Sequence, residues 1–211
     1  MRYLNIAIIL LTLFGCGKAD ATNLYLSKLE LTTWQTMRDS DVVKQNNDKS
    51  CGSASLATIL TGFYNYPVTE QDILVSLEND GMASFSDLAL VAQDYGFKGV
   101  GIALDYEKLM KLKIPVIVYL KYQGLDHFSV LRGISANRVW LGDPSWGNKI
   151  FSKSQFIQMW HTRIDKQYKG KALLILPKQK NKVGVNTTFF HSPRSLSFVY
   201  KSLPHSKLSS Y

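Results

Sequence analysis

QNNDKSCGSASLATIL, residues 45–60, holds the only cysteine beyond the first twenty residues, Cys51. After it, Ala54, Leu56, Ala57, Ile59 and Leu60 are helix-favouring or apolar at spacings near i, i+3, i+4, which predicts a helix running to about Tyr64. Before it, Asn46, Asn47, Asp48, Lys49 and Ser50 are polar turn formers. Cys51 is thus expected where a loop enters a helix. Unpaired backbone N–H groups and the positive end of the helix dipole gather there, and both favour a thiolate over a thiol. A cysteine so placed is biased towards nucleophilic attack. A lone cysteine is more often a buried structural thiol. Here, however, the small residues Gly52, Ser53 and Ala54 follow it and let a substrate backbone come close, and Gln45 lies upstream within reach of the helix start.

Cysteine hydrolases need a thiolate, a histidine to share its proton, a group to orient that histidine, and donors for the developing oxyanion. His127 stands at the start of a strand-like run, and Asp143 follows the next such run. Two adjacent antiparallel strands would bring the start of one near the loop that ends the other, so Asp143 can reach the His127 ring. Gln45 can supply a side-chain N–H to the oxyanion beside the backbone N–H of Cys51. The candidate catalytic set is therefore Cys51, His127, Asp143 and Gln45. His161 reads as a surface or capping residue, and His191 and His205 fall near the end of the chain. No Cys/His pair has metal-ligand spacing and no glycine-rich phosphate loop occurs, so no cofactor or metal is expected.

Around this set the pattern changes from helical to extended. Thr69 to Asp72 reads as a capping box before a second helix, and Ser86-Asp87 as the start of a third that stops near Gly96. Then come strand-like Phe97–Leu104, a short helix at Tyr106–Leu112, and β-rich runs at Pro115–Tyr122, His127–Ile134 and Arg138–Leu141. Asp143–Gly147 reads as a loop, Ser152–Trp160 as a helix and Ala172–Leu176 as a last strand. Helices first and an antiparallel sheet second is an α+β layout. Asn23–Leu31 reads as a short strand, and Trp34 and Met37 as a cover for the core.

The chain has 211 residues, 45% of them hydrophobic, and a mean hydropathy of −0.07, which fits one globular domain. The net charge of +9 is unevenly spread. Residues 178–211 hold six of the 25 lysines and arginines and no carboxylate, so the remainder stands at 19 basic to 16 acidic residues. That balance argues against a nucleic-acid-binding body, and the basic stretch 178–211 reads as a loosely ordered tail, the alternative being a small docked element formed by Phe189, Phe190, Leu196, Phe198, Val199 and Tyr200. Residues 1–21 read as a secretory signal: Arg2, then an apolar run from Leu4 to Phe14 that is short for a membrane span. Cleavage after Ala19-Asp20-Ala21 would give a product starting at Thr22, exported and periplasmic. Leu13-Phe14-Gly15-Cys16 instead resembles a lipobox, with a lipid anchor at Cys16. Either way Cys51 is left without a disulfide partner in an exported protein. No further stretch is long and apolar enough to span a membrane.

Gln45-x5-Cys51-Gly52-Ser53-Ala54-Ser55-Leu56, His127-Phe128-Ser129-Val130 and Asp143-Pro144 together resemble the bacteriocin-processing, double-glycine leader peptidase family of papain-like cysteine peptidases, over residues 41–177. The resemblance implies a papain-like fold in a domain spanning 22–177, with Gln45 in the oxyanion hole, Cys51 as nucleophile, His127 as general base and Asp143 orienting it. It also implies that an asparagine could fill the place of Asp143, as in related cysteine enzymes. Two departures stand out. Ser50 occupies a position where many members carry aspartate, and the chain reads as a stand-alone exported domain rather than part of an ABC exporter. That combination is similar to periplasmic members beside secretion systems, including those for functional-amyloid fibres. The implied activity is an endopeptidase acting on a secreted protein or leader peptide, partnered by a secretion-system component. The alternatives are a transglutaminase-like or acetyltransferase-like acyl transfer and a peptide-binding accessory that does not cut.

Overall fold

A computed structural model describes residues 33–77, 82–164, 167–179 and 183–190. The expected signal at 1–21, the strand at Asn23–Leu31 and residues 191–211 lie outside this range. A short helix, α1 (Trp34–Asp39), leads in. Met37, expected as part of a cover for the core, is 48% exposed.

The cysteine-bearing helix, α2, runs Cys51–Thr58 and widens into a π-helical turn over Ile59–Phe63. All eight residues of α2 are buried, so it is not amphipathic but enclosed on every side. Its small side chains explain how it fits. A Cβ on Gly52 would meet Leu88 and Phe128 at 3.3 Å and Ala83 at 3.4 Å, so this turn of the helix lies nearly in contact with its neighbours. Helices α3 (Glu70–Ser76) and α4 (Phe85–Asp94) pack on it. Thr69 and Asp72 form the expected capping box of α3. For α4 the cap is Ser84, paired with Asp87, so the helix starts earlier than Ser86-Asp87.

The second half is a six-stranded, wholly antiparallel sheet: β1 (Phe97–Leu104), β2 (Val116–Tyr122), β3 (Leu125–Ile134), β4 (Arg138–Asp143), β5 (Gly147–Ser152) and β6 (Gly170–Pro177). Their order is β1-β6-β2-β3-β4-β5. Helices α5 (Tyr106–Leu109) and α6 (Lys153–Trp160) complete the layout. Gln123 and Gly124 have φ of 51° and 84°, the backbone that a two-residue hairpin between β2 and β3 requires. β5 has no counterpart in the sequence reading. It is an edge strand with most residues half-buried or exposed, so it lacks the buried apolar run that marks β2 or β3.

The sheet separates two apolar clusters, and alternation along its strands feeds both. Ile117, Val130, Leu173 and Ile175 join α2, α3 and α4, whereas Val116, Val118, Leu131 and Ala172 join Tyr106, Phe156 and Trp160. Trp160 is fully buried, and its indole N–H donates to the Lys171 carbonyl at 2.9 Å. A side chain at Gly170 would collide with that indole, which is why β6 begins on glycine. His161 caps α6, as expected of a capping residue. Part of the stretch expected to be a loose tail is docked: Phe189 is 2% exposed, lies against Gly62 and Phe63 at the end of the π-turn, and is held by Asn186, which bonds the carbonyls of Gly62 and Phe63. Among the described residues, no helix is long and apolar enough to cross a membrane.

Candidate active site

The four candidate residues arise from four places in the fold. Cys51 is the first residue of α2, where the expected loop-to-helix junction occurs. Ser50 precedes it as a fully buried N-cap whose hydroxyl bonds Asn47 rather than the helix. His127 lies on β3, and Asp143 is the last residue of β4. Register brings the last two together. Val130 pairs with Gly142, and continuing that register sets Ser129 opposite Asp143. His127, two residues from Ser129, projects from the same face.

The contacts agree with that register. His127 Nε2 and Asp143 Oδ2 are 2.8 Å apart. The Ser129 hydroxyl donates to the same Oδ2, and Ser129 is fully buried. Oδ1 accepts the backbone N–H groups of Ser145 and Trp146 at 2.9 and 3.0 Å. Asp143 thus accepts four hydrogen bonds and is only 5% exposed. Burial pushes its pKa up, but His127, the Ser129 hydroxyl and the Trp146 N–H outweigh that and hold it below the usual carboxylate value. With Nε2 committed to Asp143, Nδ1 is the ring nitrogen left to serve Cys51, whose sulfur is one of the groups that raise the ring's pKa. Burial pulls the His127 pKa down, yet the influence of Asp143 and then of Cys51 wins and raises it to about 9. The pair is therefore built to hold an imidazolium beside the sulfur.

Gln45 sits between the loop before Cys51 and the turn after Asp143. Its backbone N–H donates to the Pro144 carbonyl at 3.1 Å. Its Oε1 accepts from Ser145 Oγ at 2.7 Å, and its Nε2 donates to the Asn47 carbonyl at 2.9 Å. A carboxamide carries two N–H donors, and Asn47 takes one of them. Lys44 Nζ adds a bond to the Ser145 carbonyl at 2.7 Å. A cleft of about 590 Å³ opens beside Cys51, with Met82, Ala83, Phe85 and Phe128 giving an apolar wall and Tyr119 and Lys171 a polar one.

Ser129 and Ser145 were not among the expected site residues. The signal for Ser129 was a hydroxyl inside the otherwise apolar run Phe128-Ser129-Val130-Leu131, two residues from the histidine. Ser145 carried no such mark, being one of several turn residues.

Comparison with known proteins places the chain. The peptidase C39 family model matches residues 39–180. The probable functional amyloid protease FapD of Pseudomonas aeruginosa is 32% identical over 133 residues, covering 59% of this chain and 58% of the relative. Its Pseudomonas fluorescens counterpart is 33% identical over 132 residues, with the same coverage of 59% and 58%. The chain thus spans 58% of the length of these curated relatives. A double glycine motif protease from an AMS/PCAT transporter, solved with its leader peptide, superimposes with a TM-score of 0.53 at 25% identity, covering 64% of this chain and 90% of that one. The peptidase domain of Streptococcus ComA, at 24% identity and a TM-score of 0.54, shares the fold, covering 64% of this chain and 97% of that one. The chain belongs to the peptidase C39 family.

Proposed function

We propose that this member of the C39 family is a cysteine endopeptidase that cuts a secreted protein or its leader peptide and serves a secretion system, in the setting of functional-amyloid export. The observation that carries this is His127 bonded to a fully hydrogen-bonded Asp143, with Cys51 at the start of its helix lining an open cleft. The FapD relatives support the amyloid setting, and the leader-peptide complex supports a peptide in the cleft. The N-terminal features of the sequence support export to the periplasm, with a lipid anchor at Cys16 as the other route out of the cytoplasm.

Each residue then has a defined task. Cys51 Sγ attacks the scissile carbonyl carbon as the C=O electrons move onto oxygen. The Cys51 N–H and the second Gln45 N–H stabilise that oxyanion. The His127 imidazolium gives its Nδ1 proton to the leaving amine, and the C–N bond breaks to leave a thioester. Neutral His127 next takes a proton from water, which attacks the thioester and regenerates the thiolate. Asp143 holds Nε2 throughout and favours the charged ring.

The test is incubation of the purified protein with secreted proteins encoded beside it, read by intact-mass spectrometry against Cys51→Ala. A single defined cut, absent with Cys51→Ala, is the expected result. Transfer of the acyl group to an added amine in place of cleavage would make the protein an acyltransferase. Intact candidates with both proteins would overturn the peptidase reading.

A further inference from the structure

Glu70 is a buried carboxylate for which the steps above have no use. It is 2% exposed, opens α3 and faces the loop before Cys51. Its Oε1 accepts the Asn46 backbone N–H at 2.9 Å, and its Oε2 accepts the same N–H at 3.2 Å and the Asn46 side-chain amide at 2.5 Å. Among the described residues, no lysine or arginine pairs with it. Burying a carboxylate without a cation costs free energy that a neutral side chain would not. Here that cost is offset by bonds to a single residue, Asn46.

Asn46 follows Gln45, and the strap they belong to is sewn down at several points. Val43 N–H reaches Thr58 Oγ1 of α2 at 2.9 Å. Gln45 and Lys44 reach Pro144 and Ser145 in the turn after Asp143. Ser50 closes on Asn47. Between the Pro144 contact and the Asn47 turn, the anchor that comes from the helical half is Glu70. The strap is polar and its residues are half-buried or exposed up to Lys49, so packing alone does not fix it.

We infer that Glu70 is a positioning residue for the oxyanion donor: by clamping both amide groups of Asn46 it fixes the peptide that carries Gln45, and so aims the Gln45 carboxamide across the Cys51 sulfur. This rests on the peptidase reading above and adds a residue on α3 to its machinery. The clamp acts only through Gln45, so its loss costs no more than the loss of Gln45 itself, ~10²–10³-fold for one oxyanion donor. A displacement of the order of an ångström can cost ~10²-fold.

The experiment is a double-mutant cycle. Glu70→Ala should lower single-turnover cleavage by ~10–10²-fold with little change in KM, since an oxyanion donor acts on the transition state. Glu70→Gln keeps an acceptor for Asn46 and should recover most of that loss. In a Gln45→Ala background, Glu70→Ala should add less than about 2-fold, because the donor it aims is gone. Affinity for a peptide aldehyde, whose thiol adduct carries the same oxygen, should follow the same cycle, while the iodoacetamide rate of Cys51 stays unchanged. Equal losses in both backgrounds, or a fall in Cys51 alkylation, would make Glu70 a stability residue and overturn the inference. Should Glu70→Ala fail to fold, Glu70→Gln and Asn46→Ala complete the cycle. A wild-type protein that bound the aldehyde but cut no peptide would sink the peptidase reading alone, since the coupling would still be read from aldehyde affinity.

Discussion

The two sides of the site are held by different forces. Cys51 is held by packing: α2 is enclosed on all sides, its first turns touch Leu88, Phe128 and Ala83, and its far end is plugged by Phe189. His127 and Asp143 are held by hydrogen bonds, four of them on one carboxylate, at the ends of two strands. Packing resists small displacements but cannot set a protonation state. A saturated carboxylate does set one, because it accepts only, and every neighbour must donate. The nucleophile side fixes where the sulfur is, and the base side fixes where the proton is.

The sharpest way to test this division is to remove the reacting groups. Cys51→Ala should abolish turnover while keeping substrate affinity, and His127→Ala should be nearly as severe, because both thiolate formation and leaving-group protonation depend on the ring. Single-turnover cleavage with a direct binding measurement checks both. Retained turnover in His127→Ala would break the assignment of the base.

Asp143→Asn comes next, and the structure changes what is expected of it. The sequence resemblance implies that asparagine could serve here. The four accepted bonds argue otherwise. If the amide nitrogen faces His127, it donates to Nε2 and leaves the ring's proton on Nδ1, the nitrogen that must serve the sulfur. If it faces the turn, it opposes the N–H groups of Ser145 and Trp146. A wrong-tautomer loss of ~10²–10⁴-fold is expected, with KM little changed. A loss below 10-fold would show that the turn can rotate to accept an amide.

On the packed side, Phe189→Ala should destabilise the protein by about 3 kcal/mol, as for other large-to-small core changes. Denaturant unfolding measures this, with the alkylation rate of Cys51 in native conditions reporting whether the helix start shifts. A chain ended at Lys178 should lose at least as much, since it removes Phe189 together with Asn186. Unchanged unfolding would return 183–190 to the status of a tail.

The last effect is a pH dependence of stability, spread over several pH units, and it belongs to the polar side. His127 has a folded pKa near 9 against 6.5 unfolded, so its contribution is complete below 6.5 and is lost as pH rises through about 9. Asp143 is lowered from 3.8, so its contribution is present above that value and is lost as pH falls below it. Together they favour the folded state most between about 4 and 6.5. In His127→Ala the loss on the alkaline side should flatten; a wild-type slope persisting in that variant would place the titration elsewhere.

Much of the site was legible in the sequence because its local parts have local causes. The turn-forming residues before Cys51 and the small residues after it set a loop-to-helix junction whatever surrounds them. The Thr69–Asp72 capping box acts within a few residues, so the helix it opens could be read directly. The β3–β4 succession set the His127-to-Asp143 spacing, because antiparallel neighbours in sequence are neighbours in space. What only the tertiary structure decided is non-local. β6, the last strand, inserts between β1 and β2, where Gly170 leaves room for the Trp160 indole of α6. β5 has too little buried surface to show a period of two, and Phe189 gains its place from a gap at Gly62 more than a hundred residues away. The saturation of Asp143, and with it the choice of aspartate over asparagine, comes from Ser129 across the sheet and from the turn's own N–H groups. A carboxylate's partners are set by register and turn geometry, which one-dimensional spacing does not carry.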